Sequence, residues 1–242
     1  MNQPFSSVWT REPRPARSAT LSRAQIVRAA IELLDTEGLD ALSMRRLGAK
    51  LGSGATSIYW HVANKDELLE LAVDEVYGRI TLPGEDTAWR EAVSVFAHSM
   101  RAVLLEHPWA AVLLGSRPSL GPNAVALVAG LMKVCRRAGF AGMAADHAWS
   151  TLLAFVLGAT TPEIAWRAAL GSTGMSDPEL MKATHSVAED AVRGHPDLAA
   201  HYALYKDVDI EAGRAAAFDF GLACVIDGLQ ARLDRGDAPP SG

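Results

Sequence analysis

One stretch of the chain, residues 41–65, constrains the fold most strongly, because it combines two short helical patterns with a tight turn. Ser43 can cap the first helix, since its hydroxyl can accept a backbone N–H at the helix start. Gly52 and Gly54 then end that helix, because glycine tolerates a positive φ. A second short helix is predicted over residues 55–61. Together they form a helix–turn–helix, which is too small to make a core alone and must pack on other helices.

The apolar residues of this stretch recur at helical spacing, which leaves a second face for solvent or a partner. That face carries hydroxyls, aromatic rings, an imidazole and basic groups, which can reach phosphates and base edges in a major groove about 12 Å wide. Because neighbouring helical residues point in different directions, we expect one of Tyr59 and Trp60 to face inward. The residues expected to contact double-stranded DNA are Ser43, Arg45, Ala55, Thr56, Ser57, Tyr59, Trp60, His61 and Lys65.

The charge distribution supports this interpretation, although the chain as a whole is acidic. Its formal net charge is −5, which by itself argues against nucleic-acid binding. The first 65 residues, however, hold nine Lys and Arg against five Asp and Glu, whereas the remainder holds 14 against 23. The basic end is therefore the end with the helix–turn–helix, as neutralisation of phosphates requires.

Residues 21–73 resemble the DNA-binding domain of the tetracycline-repressor (TetR) family of transcriptional regulators, notably in the segment YWHVANK. The later segments LGSRPSLGPNA and FDFGLACVIDGL also resemble that family. The resemblance implies an all-α, ligand-responsive repressor that binds a palindromic operator as a homodimer, with a four-helix interface built from residues 144–170 and 209–235. We predict four segments: a disordered basic arm over 1–20, a three-helix helix–turn–helix domain over 21–66, a larger helical effector-binding and dimerisation domain over 67–236, and a disordered tail over 237–242.

The apolar pattern predicts helices throughout the chain, with Gly and Pro between them and no alternating β pattern of useful length. Ser22 and Gly38 are the expected cap and stop of a first helix, and a helix from Lys65 is expected to end near residues 83–84, at the joint between the domains. The loop over 171–176 holds two glycines and is expected to be mobile. The remaining candidate helices are 88–106, 108–114, 122–138, 144–170, 177–192, 196–206 and 209–235.

Large aromatic and Met residues cluster in the central helices, where they suit either an ordinary core or an apolar ligand pocket. The resemblance implies that the Gly-Ser-Arg-Pro turn lies at the edge of such a pocket. The expected ligand-binding residues are Phe96, Met100, Trp109, Leu113, Ser116, Arg117, Pro118, Met132, Trp149, Phe155 and Trp166. The subfamily that binds a magnesium–tetracycline chelate has a histidine and an acid where this chain has Leu113 and Pro162. We therefore expect a small, mainly apolar aromatic effector, with no metal and no cofactor.

Other functions stay open at this stage. An activator would bind DNA in the same way, and a regulator without a small-molecule effector would differ only in its response. An all-helical enzyme has the least support, because the chain holds no catalytic triad pattern and no phosphate-binding glycine loop. His185 and Glu189 stand one turn apart, which suits either a structural metal or a solvated polar helix, and we favour the solvated helix.

Two further features indicate the compartment. Cys135 and Cys224 lie in apolar helical contexts and are expected to be buried thiols, as is typical of a reducing compartment. No segment has the length and apolarity of a membrane span, and the N-terminus has no apolar stretch of the signal-peptide kind. We therefore expect a cytoplasmic protein that does not associate with membranes.

Overall fold

A computed structural model describes residues 8–10, 21–114, 119–204 and 209–236 of the protein. These residues form eleven α-helices and one short 3₁₀ turn, with no strand among them, which confirms the predicted all-α class. In chain order the helices are α1 (Arg23–Glu37), α2 (Met44–Lys50), α3 (Ala55–Tyr59), α4 (Lys65–Tyr77), α5 (Trp89–Glu106), α6 (Pro108–Leu114), α7 (Pro122–Ala138), α8 (Met143–Thr173), α9 (Asp177–Ala191), α10 (Pro196–Ala203) and α11 (Ile210–Arg235).

Local caps and turns define the helix–turn–helix, as predicted. The hydroxyls of Ser22 and Ser43 each accept the backbone N–H three residues further on, at 3.2 Å in both cases. Gly38 ends α1 with a φ of 80°, and Gly52 turns the chain between α2 and α3 with a φ of 62°. A Cβ at Gly48 would lie 2.9 Å from a backbone oxygen of that turn, so α2 and the turn can approach this closely only around a glycine.

α4 is shorter than the sequence predicts. It ends at Tyr77 rather than near residues 83–84, because the chain tightens into i→i+3 turns beyond it. The N–H groups of Arg79 and Ile80 donate to carbonyls three residues earlier, each at 3.1 Å. The turn buries the Ile80 side chain, which a straight continuation of the helix would have placed elsewhere.

Three other boundaries also differ from the predictions. α3 ends at Tyr59, two residues before the predicted end of the second short helix. α8 continues through Thr173, so half of the predicted loop over 171–176 is helical, and Gly174 follows with a φ of 67°. α10 ends at Ala203, and the last two residues predicted for it lie outside the described part of the chain.

The N-terminal segment differs from the predicted disordered arm over three residues. Val8–Thr10 form a 3₁₀ turn that packs on α4. The backbone N–H of Val8 donates to Glu70 Oε2 at 3.1 Å, and the Val8 side chain is buried. The other residues of the predicted arm, 1–7 and 11–20, lie outside the described ranges, and so does the predicted tail over 237–242.

The described chain divides into two compact units, with the boundary inside α8 after Leu152. The first unit holds α1–α7 and the beginning of α8. Its core includes Phe96, Met100 and Leu104, each of which is at most 1% exposed. α1 packs on α2 and α4, and α4 packs in turn on α6 and α7, so α4 lies between the helix–turn–helix and the central helices.

The second unit holds the rest of α8 with α9, α10 and α11. Within it the rings of Phe155 and Phe218 lie 5.3 Å apart, which joins α8 to α11. A Cβ at Gly221 would lie 2.6 Å from the Phe155 ring, so this glycine permits the close approach of α8 and α11. A Cβ added at Gly228, by contrast, meets no neighbour within 4 Å in the described structure.

The two cysteines have different surroundings. Cys135 is buried as predicted, and desolvation raises the pKa of its thiol to about 11. Cys224 is exposed, contrary to the prediction, because it lies on the same solvent-facing side of α11 as Phe220. None of the helices in the described ranges combines the length and apolarity that a bilayer span requires.

Candidate nucleic-acid interface and ligand pocket

The inward face of α3 is filled by aliphatic residues rather than by an aromatic one. Ile58 and Val62, one helical turn apart, are fully buried. Tyr59 and Trp60 are 45% and 63% exposed, so the prediction that one of them faces inward is wrong. The reason is geometric: with Ile58 pointing to the core, the next two residues lie about 100° and 200° around the helix. Both aromatic rings are therefore presented to solvent.

The other predicted DNA-contacting residues of this region lie on or beside the same surface. Thr56, Ser57 and Arg45 are exposed, and Ala55, His61 and Ser43 are partly exposed. The Ser43 hydroxyl is already used as the cap of α2. Arg45 has no acidic partner among the described residues, so its charge is available to a phosphate. Hydroxyls, aromatic rings and one such guanidinium are groups that position a helix on a DNA backbone and read base edges.

Two other basic groups of α2 are paired with acids of α1. Arg46 forms an ion pair with Glu37, and Lys50 Nζ lies 3.0 Å from Glu32 Oε2. These pairs are exposed, so water and salt weaken them. They nevertheless place carboxylates next to two of the three cations of α2, which leaves Arg45 as the stronger candidate for a phosphate contact.

Lys65, the first residue of α4, is tied to the connection between α1 and α2. Its ammonium donates to the backbone oxygen of Leu39 at 2.9 Å, which uses one of its three protons. Asn64 caps the helix by accepting the N–H of Glu67 at 2.8 Å, and Glu67 Oε2 accepts the N–H of Ala63 at 2.8 Å. The N-terminus of α4 is thus fixed to the helix–turn–helix while two ammonium protons remain for a phosphate.

The middle of α4 is anchored to the start of α7 by Asp74, which is 5% exposed. Asp74 Oδ1 accepts the N–H of Ala124 at 2.9 Å, and Oδ2 accepts the N–H of Asn123 at 3.3 Å. The Asn123 side chain returns a hydrogen bond to the Asp74 backbone oxygen at 3.1 Å. A buried carboxylate at a helix N-terminus neutralises unpaired N–H groups and the positive end of the dipole.

A largely apolar pocket lies against the same face of α4. Its cavity volume is about 30 Å³, and the empty space rises to about 390 Å³ when the region open to solvent is included. Burial raises the pKa of Tyr77, although its hydroxyl is hydrogen-bonded to Ser119. This pair offers a polar contact within apolar walls, as small-molecule sites typically do. The lining residues are Trp9, Leu69, Glu70, Val73, Asp74, Tyr77, Leu113, Ser119, Leu120 and Gly121.

Only Leu113 of the described residues that were predicted to bind a ligand lines this pocket. Phe96 and Met100 are core residues of the first unit, and Met132 is partly exposed on α7. Trp109 is buried and donates its indole N–H to Asp35 Oδ1 at 2.7 Å. The three residues predicted at the Gly-Ser-Arg-Pro turn lie outside the described residues: Ser116, Arg117 and Pro118.

The other predicted ligand-binding residues lie on α8. The Trp149 indole donates to Asp146 Oδ1 at 3.0 Å. Trp166, in the second unit, donates to Asp177 Oδ1 at 2.6 Å, and the Arg214 guanidinium carbon lies 5.2 Å from the centre of its ring. Phe155 packs within the same unit, as described above. Their role in ligand binding stays a prediction.

Residues that the sequence analysis did not single out contribute most of the pocket and its anchor. Glu70 and Asp74 look like ordinary polar positions of an amphipathic helix, and Trp9 lies in a segment without periodicity. The one sequence signal near them was the Gly121–Pro122 start of α7, which requires a cap but does not say that α4 supplies it.

His185 and Glu189 lie 3.5 Å apart, and no group of three His, Cys, Asp or Glu within the described ranges is arranged to hold a metal ion.

Comparison with known proteins identifies the family. The model for bacterial regulatory proteins of the tetR family matches residues 26–72, and the model for the tetracyclin repressor-like C-terminal domain matches residues 82–233. Both agree with the resemblance predicted from the sequence, and the second alone covers more than half of the chain.

A related protein and two solved structures extend this result. The transcriptional repressor DrrR1 of Streptomyces coeruleorubidus is 32% identical over 244 residues, which cover 96% of this chain and 87% of DrrR1. ActR of Streptomyces coelicolor, solved in complex with actinorhodin, is 30% identical with a TM-score of 0.72, over 89% of this chain and 99% of ActR. BioQ, solved with its double-stranded DNA operator, is 31% identical with a TM-score of 0.54, over 63% of this chain and 94% of BioQ. The chain therefore belongs to the TetR family of bacterial transcriptional regulators.

Proposed function

We propose that the protein is a transcriptional repressor that binds a palindromic operator as a homodimer and is released by a small, mainly apolar aromatic molecule in the pocket on α4. It acts in the cytoplasm, where bacterial DNA lies. One observation carries this proposal: α4 both holds the helix–turn–helix and forms a wall of the pocket. Its first residue, Lys65, donates to the α1–α2 connection, while Leu69, Val73 and Tyr77 line the pocket.

The DNA-binding part of the proposal assigns residues 21–66 to one half-site of the operator. Tyr59 and Trp60 stand out from α3 towards the major groove, and Arg45 with Lys65 neutralises phosphates beside it. Two such heads in one dimer read two half-sites about 34–36 Å apart, which is one turn of duplex. The DNA operator bound by BioQ supports this assignment for a protein of the same fold.

The homodimer is supported by the exposed face of α11 in the second unit. Phe220 is 73% exposed there, although an aromatic ring of this size normally gains from burial. Three exposed neighbours of Phe220 on this side of the helix are small, namely Ala217, Cys224 and Gly228, and the exposed Asp227 adds one carboxylate. An exposed aromatic ring beside small residues suits close packing against a second copy of the chain, and residues 67–236 are accordingly assigned to effector binding and dimerisation.

Effector release follows from the position of the pocket. A ligand that fits the pocket better when α4 is displaced also displaces Lys65 and the head, so the operator-binding population falls. Coupling of this kind is typically about 1–3 kcal/mol, or about 5–150-fold in affinity. The actinorhodin bound by ActR supports an aromatic ligand class, and the DrrR1 repressor supports the sign of regulation.

The first test is selection of the purified protein on a random-sequence DNA library at two salt concentrations. We expect an enriched palindrome with half-sites about one turn apart, and binding that weakens steeply with salt. Salt-sensitive binding without an enriched motif would contradict the operator proposal. A reporter gene placed behind the selected operator then separates repression, which we expect, from activation.

A further inference from the structure

A buried histidine at the junction between α5 and α6 is contacted at both ring nitrogens. His107 is 1% exposed. Its Nε2 lies 2.7 Å from Arg79 Nη1, and its Nδ1 lies 2.7 Å from Asp35 Oδ1. A guanidinium nitrogen can only donate, so Nε2 accepts from Arg79 and the ring proton is on Nδ1, which donates to Asp35. One tautomer therefore satisfies both short contacts of the ring, while Glu106 Oε1 lies further away, 3.5 Å from Nε2.

Asp35 accepts a second hydrogen bond from the same junction. Its Oδ1 also accepts the indole N–H of Trp109 on α6 at 2.7 Å. Arg79, which follows α4, also donates to Glu106 Oε1 at 3.1 Å. A carboxylate at the end of α1 and a guanidinium just beyond α4 thus meet the α5–α6 junction on opposite sides of one imidazole.

These contacts join the helix–turn–helix to the central helices in a way that apolar packing does not. Burial of apolar surface is non-directional, whereas hydrogen bonds weaken steeply with distance and angle. A buried donor that loses its partner is costly, because water does not replace that partner. The cluster of Asp35, His107 and Trp109 is therefore satisfied at one orientation of α1 relative to the α5–α6 junction.

We propose that this cluster, Asp35 with His107 and Trp109, is a positioning site that fixes the angle of each DNA-binding head and so sets the half-site spacing that the dimer accepts. The proposal rests on the proposed function, since spacing has a meaning only for two heads on one operator. It also gives the pocket a second route to the head. Trp109 and Leu113 lie one turn apart on α6, so a ligand that shifts Leu113 acts on the helix that carries the indole.

The test measures binding to a set of operators that share the selected half-sites but differ by one or two base pairs in their separation. Wild-type protein should bind the selected spacing at least tenfold more tightly than the altered ones. Asp35→Ala removes the acceptor shared by His107 and Trp109. We expect it to weaken binding at the selected spacing and to bind all spacings within about threefold of one another, because the heads are free to adjust.

Two companion variants separate orientation from charge and general stability. Asp35→Asn keeps one acceptor oxygen for both donors, so we expect it to retain the spacing preference of the wild type. Glu37→Ala removes another acid of the same turn of α1, but the partner of Glu37, Arg46, lies within the head. This variant can change affinity at every spacing equally and should leave the preference intact.

Each outcome decides between the claims. If the wild type prefers the selected spacing and Asp35→Ala prefers it to the same extent, the positioning role is overturned and the proposed dimeric operator binding is not. A wild type that binds every spacing equally overturns the proposed dimeric operator binding and this inference with it. If Asp35→Ala does not fold, Trp109→Phe removes one hydrogen bond and keeps the ring packing. If folded Trp109→Phe and His107→Leu proteins both keep the spacing preference of the wild type, the positioning role is also overturned.

Discussion

Replacing Gly121 by alanine tests the contact through which α4 is anchored to α7. A Cβ at this position would lie 2.1 Å from Asp74 Oδ1 and 2.2 Å from Asp74 Cγ, distances that no packed structure tolerates. The φ of Gly121 is −70°, which alanine adopts readily, so the backbone adds no strain of its own. The substitution therefore acts by pushing the Asp74 carboxylate away from the start of α7.

The size of the effect follows from what the carboxylate loses. Asp74 accepts two backbone N–H groups of α7, at 2.9 and 3.3 Å. Hydrogen bonds to a charged group contribute about 1.5–3 kcal/mol each, and the longer of these two is the weaker. We expect Gly121→Ala to lower the free energy of unfolding by about 3 kcal/mol, which corresponds to about 6–12 °C in Tm for a protein of this size.

Chemical denaturation measures this loss, and Gly84→Ala provides the control. An alanine Cβ at Gly84 meets nothing within 4 Å, so its effect should stay within about 0.5 kcal/mol. The Asp74→Ala variant supplies a double-mutant cycle, because it removes the carboxylate and leaves only a 2.7 Å contact with the Asp74 Cβ. The two substitutions together should cost at least about 1 kcal/mol less than the sum of each alone. Strict additivity, or a Gly121→Ala protein as stable as Gly84→Ala, would refute the anchoring argument.

Three further predictions concern DNA binding, assembly and thiol chemistry. Lys65→Ala should weaken operator binding at every sequence and reduce the slope of log K against log salt by about 1.8, because each of the two protomers loses one phosphate contact. Lys133→Ala, at an exposed lysine on α7, should leave the slope unchanged. Equal slopes in these two variants and the wild type would remove Lys65 from the interface. Phe220→Arg should convert the dimer to a monomer in light-scattering measurements. Val187→Arg, at an equally exposed position on α9, should leave the dimer intact. A dimeric Phe220→Arg protein would exclude this face of α11 as the dimer interface. At pH 8 a thiol reagent should label Cys224 quickly in the monomeric Phe220→Arg protein, where the proposed dimer no longer covers it. In the same protein Cys135 should react only slowly, because burial raises the pKa of its thiol to about 11 and leaves little reactive thiolate at pH 8. Equal labelling rates in that folded protein would contradict the burial of Cys135.

The sequence predicts the parts of the fold that local chemistry determines. Ser22, Ser43, Gly38 and Gly52 act within three or four residues of themselves, so each cap and turn can be recognised without knowledge of the rest of the chain. The same locality makes the helix–turn–helix recognisable as a unit. It is also why the family resemblance was clearest in that region.

The sequence does not predict contacts between residues that only the tertiary fold brings together. Asp74 lies 50 residues from Ala124, and Asp35 lies 72 residues from His107. Neither acid differs in sequence from an ordinary polar position on a helix surface. The same limit explains the exposure of Tyr59 and Trp60, because two aromatic residues in a row do not reveal that Ile58 and its aliphatic neighbours already fill the core.

The pocket illustrates a mixed outcome. The family resemblance implied a ligand pocket at the Gly-Ser-Arg-Pro turn, which lies outside the described residues, and of the predicted residues that are described only Leu113 lines the pocket on α4. Its α4 wall and the approach of Trp9 depend on where the N-terminal segment packs, which no periodicity indicates. Tyr77 and Ser119 are hydrogen-bonded to each other, so a ligand in this pocket would meet apolar walls with this polar pair among them.

The central claim is that the pocket on α4 and the operator are coupled, and calorimetry of an aromatic ligand with free and operator-bound protein tests it most directly. The ligand is the compound that raises the Tm most in a screen of aromatic molecules that includes actinorhodin. The account predicts that this compound binds operator-bound protein about 5–150-fold more weakly than free protein, and weakens operator binding by the same factor, as linkage requires. Equal ligand affinities in the two states would contradict it.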